Sequence, residues 1–313
     1  MNHKSPIIVI AGPTASGKSL FGLELAKAID GTIINFDSIQ VYKDLHILTA
    51  RPNKYEMKVV SHKLYGFLSG EFRCTAIYWR DIAIQEIKNT FKNGKVPILV
   101  GGTGLYVKSL IDGITDIPAT NPIYKKKSEE LHEELGAKKF FNLVKKVDPI
   151  IVNNISVNDY QRLVRAYTVW LQTKIPLSKW QKNDSLDNKV FSNFIKIKIT
   201  PERDKLRNNI KIRFQEMVDE GVVNEIESFK RLNTNLPIMK AHGLREIINY
   251  IDGKISFEEA TNSTINQINK YAKRQDTWFR NKYYSDYEII NTKKNLNTDC
   301  SNILSMYKNI LKK

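Results

Sequence analysis

Residues 7–19 read Ile7-Ile8-Val9-Ile10-Ala11-Gly12-Pro13-Thr14-Ala15-Ser16-Gly17-Lys18-Ser19. A short β-branched run leads into glycine, four further residues, then Gly17-Lys18-Ser19, the full spacing of a phosphate-binding loop (P-loop) at a strand-to-helix turn. Such a loop turns backbone N–H groups toward a polyphosphate, and the helix behind it offers its positive end. Lys18 supplies a point charge and Ser19 a hydroxyl for Mg²⁺. The next residues, Leu20 to Ile29, are rich in helix formers, as the motif requires. A glycine-rich turn without a ligand is the plain alternative, and the agreement of strand, spacing and helix stands against it. The loop does not say which polyphosphate it holds or what attacks it.

The chain has 313 residues, 42% of them hydrophobic, enough for one large domain or a core plus a smaller unit. The formal charge of +16 favours a polyanionic partner, although a Lys/Asn-rich genome would produce the same balance. Cys74 and Cys300 lie far apart without metal-ligand spacing, which suggests a reducing compartment and no zinc. The first strand begins so close to Met1 that no signal peptide is expected, and no apolar run of about 18 residues is present for a membrane span. The expectation is a cytoplasmic protein with no membrane partner, and a monomer.

A second strand, Thr32 to Phe36, ends at Asp37-Ser38-Ile39-Gln40, placing Asp37 just past the carboxyl end, where a parallel sheet meets its ligand. A cap or turn is the structural alternative for Asp37. Residues 43–72 read as irregular. A helix from about Ala76 to Phe91 precedes the strand Val96 to Val100, after which a nucleotide hydrolase would often place an acidic residue to hold Mg²⁺ through water. Here Gly101-Gly102-Thr103-Gly104 follows instead, which shifts the reading from ATP hydrolysis toward group transfer, with Asp37 the best remaining carboxylate. Proline-marked residues 117–122 open a charged helical tract, Tyr124–Leu135, Ala137–Val147 and Asp159–Leu171. Arg162 and Arg165 share one side of its last helix. The strand Phe194 to Ile199 returns to the sheet. Pro201 then opens a helix with Leu206, Ile210, Phe214 and Met217 as its apolar stripe and Arg213 beside that stripe, able to reach a crevice. A helix from Val222 to Leu232 follows. The last long helix, about Ser256 to Tyr284, packs Ile265, Ile268, Ala272 and Phe279 and leaves basic and aromatic residues for its other faces, a pattern suited to RNA. The tail past Tyr287 reads as peripheral.

These readings add up to an α/β fold: a P-loop parallel-sheet core with helices on both faces and an inserted all-helical domain. The expected segments are residues 1–116 (core, first part), 117–190 (helical insertion), 191–287 (core completion and basic helices) and 288–313 (tail). Four blocks in this order, Gly12 to Ser19, Asp37-Ser38 with Tyr42, Gly101-Gly102-Thr103 with Leu105-Tyr106, and Tyr271 to Gln275 with Thr277 to Arg280, resemble the bacterial tRNA dimethylallyltransferases, also called tRNA isopentenyltransferases. The resemblance runs from about residue 7 to 285. It implies transfer of a dimethylallyl group from dimethylallyl diphosphate to N6 of the adenosine beside the anticodon (position 37), in tRNAs that read codons beginning with U.

The same resemblance implies the site. Gly12, Pro13, Thr14, Ala15, Ser16, Gly17, Lys18 and Ser19 would cradle the diphosphate with Arg213, and Mg²⁺ would sit near Ser19. Asp37 would receive the N6 proton, and Thr103 would lie where adenosine and diphosphate meet, so that Asp37, Lys18, Thr103 and Arg213 form the catalytic set. The anticodon stem-loop would contact Asp37, Ser38, Ile39 and Gln40; Thr103 and Lys125; Gln161, Arg162, Leu163, Val164 and Arg165; Lys240, Ala241, His242, Gly243, Leu244 and Arg245; and Lys273, Arg274, Gln275, Asp276, Thr277, Trp278, Phe279 and Arg280. The chain departs from the family's usual residues at Leu48, Asn209, Leu244, Ile268 and Asn269, and has Lys125 where arginine is usual. Three other readings share parts of this pattern: an adenylate isopentenyltransferase acting on free AMP, ADP or ATP, a small-molecule kinase built on the P-loop, and a non-enzymatic RNA-binding module.

Overall fold

The computed structural model describes residues 5–113, 115, 117–182, 189–229, 236–290 and 294–312. The expected boundary at residue 116 and the end of the helix expected at Leu232 lie outside the described residues. The chain divides into two compact units, Met1–Ile111 with Val190–Lys313, and Asp112–Lys189.

The first unit is built on six strands, β1 (Ile7–Ala11), β2 (Gly31–Asn35), β3 (Ser61–Lys63), β4 (Val96–Gly101), β5 (Phe194–Ile199) and β6 (Tyr287–Ile289), in the order β3-β2-β4-β1-β5-β6. All pairings are parallel, with Ile10 opposite Val100 on one side and Ile197 on the other. Continuous apolar runs in β1 and β4 match burial on both faces, as a parallel sheet covered by helices demands. One face packs Ile8, Ile10, Ile33, Ile98 and Val100 against α1 (Lys18–Ile29) and α12 (Leu296–Leu311). Strand alternation sends Ile7, Val9 and Leu99 to the opposite side. There α3 (Ala76–Lys92) brings Trp79, whose Nε1–H donates to the Asn35 carbonyl at 2.9 Å and whose ring stacks on Tyr106 of α4 (Gly104–Ile111).

Two expectations are corrected here. Residues 43–72 are not wholly irregular, since they hold α2 (Lys54–Val59), closed by a reciprocal Asn53–Glu56 capping box, and the edge strand β3. Three polar residues at a sheet edge give too short an alternation to read. The tail past Tyr287 is not peripheral either, because β6 completes the sheet and α12 puts Cys300 and Ile303 into its core.

The second unit is helical: α5 (Pro122–Val147), α6 (Tyr160–Thr173) and α7 (Leu177–Lys182). The expected break between Leu135 and Ala137 is a kink within α5 at Gly136, whose φ of 72° suits glycine. Phe140, Val144, Leu163, Val164 and Tyr167 form its core. Buried Asp148 stitches it together, accepting the Ile151 N–H at 3.1 Å and the Ser178 N–H at 2.8 Å.

The first unit also contains α8 (Arg203–Asp219), α9 (Val222–Phe229), α10 (Leu244–Ile251) and α11 (Phe257–Lys282). Leu206, Ile210, Phe214 and Met217 are the buried face of α8, as their spacing requires. Ser256 caps α11 in a box with Glu259. Among the described residues, no helix is long and apolar enough to cross a membrane.

Candidate active site

The turn after β1 is shaped by close backbone approach. A Cβ on Gly12 would lie 2.6 Å from the Ile199 carbonyl oxygen, and Gly17 caps α1 at φ 90°. Three side chains from distant helices hold the turn. The Arg213 guanidinium of α8 donates to Thr14 Oγ1 at 3.2 Å, and the Asn209 amide donates to the Ala15 carbonyl at 3.1 Å. Gln275 of α11 does more: its Oε1 accepts the Thr14 N–H at 2.8 Å, while its Nε2 donates to the Gly102 carbonyl at 2.9 Å. One buried amide thus joins the turn after β1 to the turn after β4.

Asp37 follows β2. Asn35 Oδ1 accepts its N–H at 2.8 Å, and Asp37 Oδ1 accepts the Ile39 N–H at 3.0 Å, so the turn orients its own carboxylate. Thr103 Oγ1 accepts the Ser38 N–H at 2.9 Å and bonds to Ser38 Oγ at 3.2 Å, tying this turn to the one after β4.

These turns enclose a chamber of about 110 Å³. Its lining includes the polar residues Lys18, Ser19, Asp37, Arg213, His242 and Tyr271 and the apolar residues Leu48, Ile210, Phe214, Met217 and Ile268. A larger cavity of about 350 Å³ lies beyond the loop, shares Lys18, Ser19 and Arg213 with the chamber, and is lined farther out by Arg51, His62, Tyr65 and Lys205.

The electrostatics centre on Lys18 and Asp37. Lys18 donates to the Pro13 carbonyl at 2.5 Å. Burial brings its pKa down to about 7, with Asp37 opposing the fall and Arg213 adding to it. Burial also lowers Arg213, against the pull of Asp37 and Glu216, but a guanidinium stays charged. The His242 ring, 4.5 Å from that of Tyr271, is held below the ordinary histidine range by burial and by Arg274, with Asp37 opposing. Burial, with Asp37 adding to it, raises the Tyr271 hydroxyl above the tyrosine range against the opposing pull of Thr103, Arg274 and Gln275, so it keeps its proton. A guanidinium, a lysine amine that a bound anion would charge, one carboxylate and apolar side chains in one chamber suit a phosphorylated leaving group attached to a small hydrocarbon.

A sequence profile described as "IPP transferase" matches residues 40–282, and one described as "Isopentenyl transferase" matches residues 5–69. The tRNA dimethylallyltransferase of Pelagibacter ubique is 41% identical over 91% of this chain and 91% of its own length. The chain belongs to the IPP transferase family. The tRNA dimethylallyltransferase of Rickettsia canadensis is 37% identical over 98% of this chain and 94% of that protein. The crystal structure of the full-length tRNA isopentenylpyrophosphate transferase from Bacillus halodurans superposes with a TM-score of 0.70 at 30% identity, covering 98% of each chain. A eukaryotic dimethylallyltransferase crystallised acting on tRNA, 21% identical, has a TM-score of 0.82 over 98% of this chain and 80% of its own, and shows the shared fold.

Within this IPP transferase fold, Lys18, Ser19, Thr14, Ala15, Asp37, Ile39, Gln40 and Arg213 do converge on the chamber. The expected RNA-facing residues divide. Lys240, Arg245, Lys273, Arg274, Thr277 and Arg280 are exposed, Arg280 paired with Asp276 at 3.1 Å, and Trp278 is half-buried over Gly104. In the second unit, Gln161 and Arg162 are exposed, Lys125 pairs with Glu129 at 3.0 Å, and Arg165 donates to Thr120. For the side chains of Leu163, Val164, Ala241, Leu244, Gln275 and Phe279 the expectation of RNA contact is corrected. All are buried, the first two in the core of the helical unit and Gln275 as the strut just described. A contiguous motif on a helix necessarily sends part of itself inward.

Sequence reasoning missed Tyr271 as a site residue and the apolar chamber wall. The α8 stripe signalled burial, but periodicity cannot tell a cavity wall from solid core. Leu48 and Ile39 come from loops and carry no periodic signal at all.

Proposed function

We propose that this chain transfers the dimethylallyl group of dimethylallyl diphosphate to N6 of the adenosine beside the anticodon, position 37, in tRNAs that read codons beginning with U, releasing diphosphate. The observation that carries this reading is the single chamber lined together by Asp37, Lys18, Arg213 and the apolar residues Leu48, Ile210, Phe214 and Met217. Lys18, Arg213 and the N–H groups of the Gly12–Ser19 P-loop hold the diphosphate and stabilise the charge that grows on it as the allylic C–O bond breaks. Leu48, Ile210, Phe214 and Met217 surround the hydrocarbon and keep water from the electrophilic carbon. The adenine amine is a weak nucleophile, its lone pair delocalised into the ring. Asp37 hydrogen-bonds N6–H, orients the amine, and takes its proton as the C–N bond forms. Thr103 holds the Asp37–Ser38 turn, and Tyr271 offers a hydroxyl to the base from the chamber lining.

Mg²⁺ fits the donor set, because Ser19 is an exposed hydroxyl at the loop and Asp37 the carboxylate of the chamber. Among the described residues no group of three or more His, Cys, Asp or Glu could make a protein-only metal cage. Magnesium typically takes one or two protein oxygens and completes its shell with phosphate and water. When bound it would neutralise charge on the diphosphate oxygens.

The exposed basic residues Lys240, Arg245, Lys273, Arg274 and Arg280, and Lys125, Gln161, Arg162 and Arg165 of the helical unit, are the surfaces for the anticodon stem-loop. An unpaired loop nucleotide is cheaper to turn out than one in a duplex. The protein is read as a cytoplasmic monomer. Incubation with labelled dimethylallyl diphosphate and bulk tRNA, followed by nucleoside analysis, should yield N6-dimethylallyladenosine. Label appearing on free AMP and not on tRNA would favour the adenylate enzyme, ATP consumption a kinase, and tRNA binding without transfer an RNA-binding module.

A further inference from the structure

We infer that Leu48 is the end wall that limits the length of the prenyl chain, held in place by Glu225. The inference rests on the reading of the chamber as a dimethylallyl site. Leu48 is 7% exposed and presents its side chain to the chamber beside Ile210, Phe214, Met217 and Ile268. What lies behind it makes it a wall and not mere filling. Leu48 Cδ1 is 3.5 Å from where a Cβ on Gly243 would stand, and Gly243 has none. Gly243 sits at φ +91°, and a Cβ there would come within 2.6 Å of Thr264 Cγ2, so glycine is required at this point. Shortening Leu48 therefore lengthens the chamber toward the Gly243 backbone, with the Thr264 side chain beyond it.

A wall selects by size only if it does not yield. The Leu48 loop is pinned by a carboxylate from another helix. Glu225 Oε1 of α9 accepts the N–H groups of His46 at 2.6 Å and Ile47 at 2.8 Å, and Oε2 accepts that of Leu48 at 2.9 Å. Charge-assisted bonds of this kind are roughly twice as strong as neutral ones. From the other side, Gln40 Nε2 donates to the carbonyls of Thr49 and Ala50, both at 2.9 Å, and Thr49 Oγ1 donates to the Leu45 carbonyl at 2.6 Å. Backbone donors and acceptors on both sides of Leu48 are thus committed. A longer hydrocarbon meets a fixed methyl surface and cannot push the loop aside.

The test measures kcat/KM with bulk tRNA for dimethylallyl diphosphate, for 3-methylpent-2-enyl diphosphate, which is one methylene longer, and for geranyl diphosphate. The full-length wild type, Leu48→Ala, Leu48→Val and Glu225→Gln are compared. Leu48→Ala should raise the ratio of longer to dimethylallyl donor by about 10-fold or more, the usual worth of a methylene in a hydrophobic pocket. Glu225→Gln, which leaves Leu48 in place but loosens its loop, should move the ratio the same way by a smaller factor. A folded, active Leu48→Ala whose ratio stays within about twofold of wild type overturns the inference. If Leu48→Ala fails to fold, the milder Leu48→Val is read by the same ratio, and no change there overturns it equally. A wild type that transfers nothing from dimethylallyl diphosphate to tRNA refutes the proposed function itself, a result distinct from unaltered selectivity in an active enzyme.

Discussion

Binding of dimethylallyl diphosphate at pH 8 should draw nearly one proton from solution, and the proton should go to Lys18. In the ligand-free protein burial brings this amine to about 7, with Arg213 pushing the same way and Asp37 only partly opposing. At pH 8 a group of that pKa is protonated in only about one molecule in ten. A diphosphate placed against Lys18 stabilises the ammonium and returns its pKa toward the ordinary lysine range, so the complex binds about 0.9 proton more than the free protein. The ligand does not mask the effect, because a terminal phosphate with a second pKa of about 6 is already ionised at pH 8. Affinity should be nearly flat below pH 7 as far as Lys18 is concerned, then fall by up to about tenfold per unit as pH rises, since each binding event must find a proton. Isothermal titration at pH 8 in buffers of different ionisation enthalpy, with and without Mg²⁺, gives the proton count as a slope. A slope near zero, or one unchanged in Lys18→Met, would refute this account of the loop. The same depressed pKa has a consequence for stability. The unfolded chain binds the Lys18 proton more tightly, so this group makes the ligand-free protein less stable below pH 7 and releases that penalty as pH rises toward about 10.5. Lys18→Met should therefore raise Tm at pH 7 without ligand while abolishing stabilisation by diphosphate, both read by thermal melts.

Three further outcomes are expected. Asp37→Ala should lower single-turnover transfer by about 10²-fold or more while leaving tRNA affinity largely intact; near-normal turnover at saturating substrates would sink the general-base role. Lys273→Ala and Arg280→Ala should weaken tRNA binding and flatten the plot of log affinity against log salt by about one unit per lost phosphate contact, as followed by filter binding. Gln275→Ala strips partners from the Thr14 N–H and the Gly102 carbonyl, at about 1–3 kcal/mol for each group left unpaired. It should raise KM for dimethylallyl diphosphate more than the Kd for tRNA. An unchanged KM would show that the strut does not set the loop geometry.

What the sequence alone determined is local. The strand-turn-helix at β1 and α1 was legible because strand, glycine spacing and helix adjoin, and the place of Asp37 because it lies just past the end of the parallel strand β2. The α8 stripe and the position of Arg213 beside it followed from helical period. Each depends on neighbours within a few residues, where backbone geometry leaves little choice. The tertiary structure decided the remainder. Gln275 looked like part of an outward basic motif, yet it reaches a backbone amide 261 residues away. Glu225 clamps Leu48 from 177 residues away, and β6 pairs with β5 across the helices that intervene in the chain. No periodicity or spacing encodes such pairs, because the energy that selects them comes from burying a polar group or an apolar face against one particular partner. Residues that hold the loop, and those that wall the chamber, exist as neighbours only once the chain has closed.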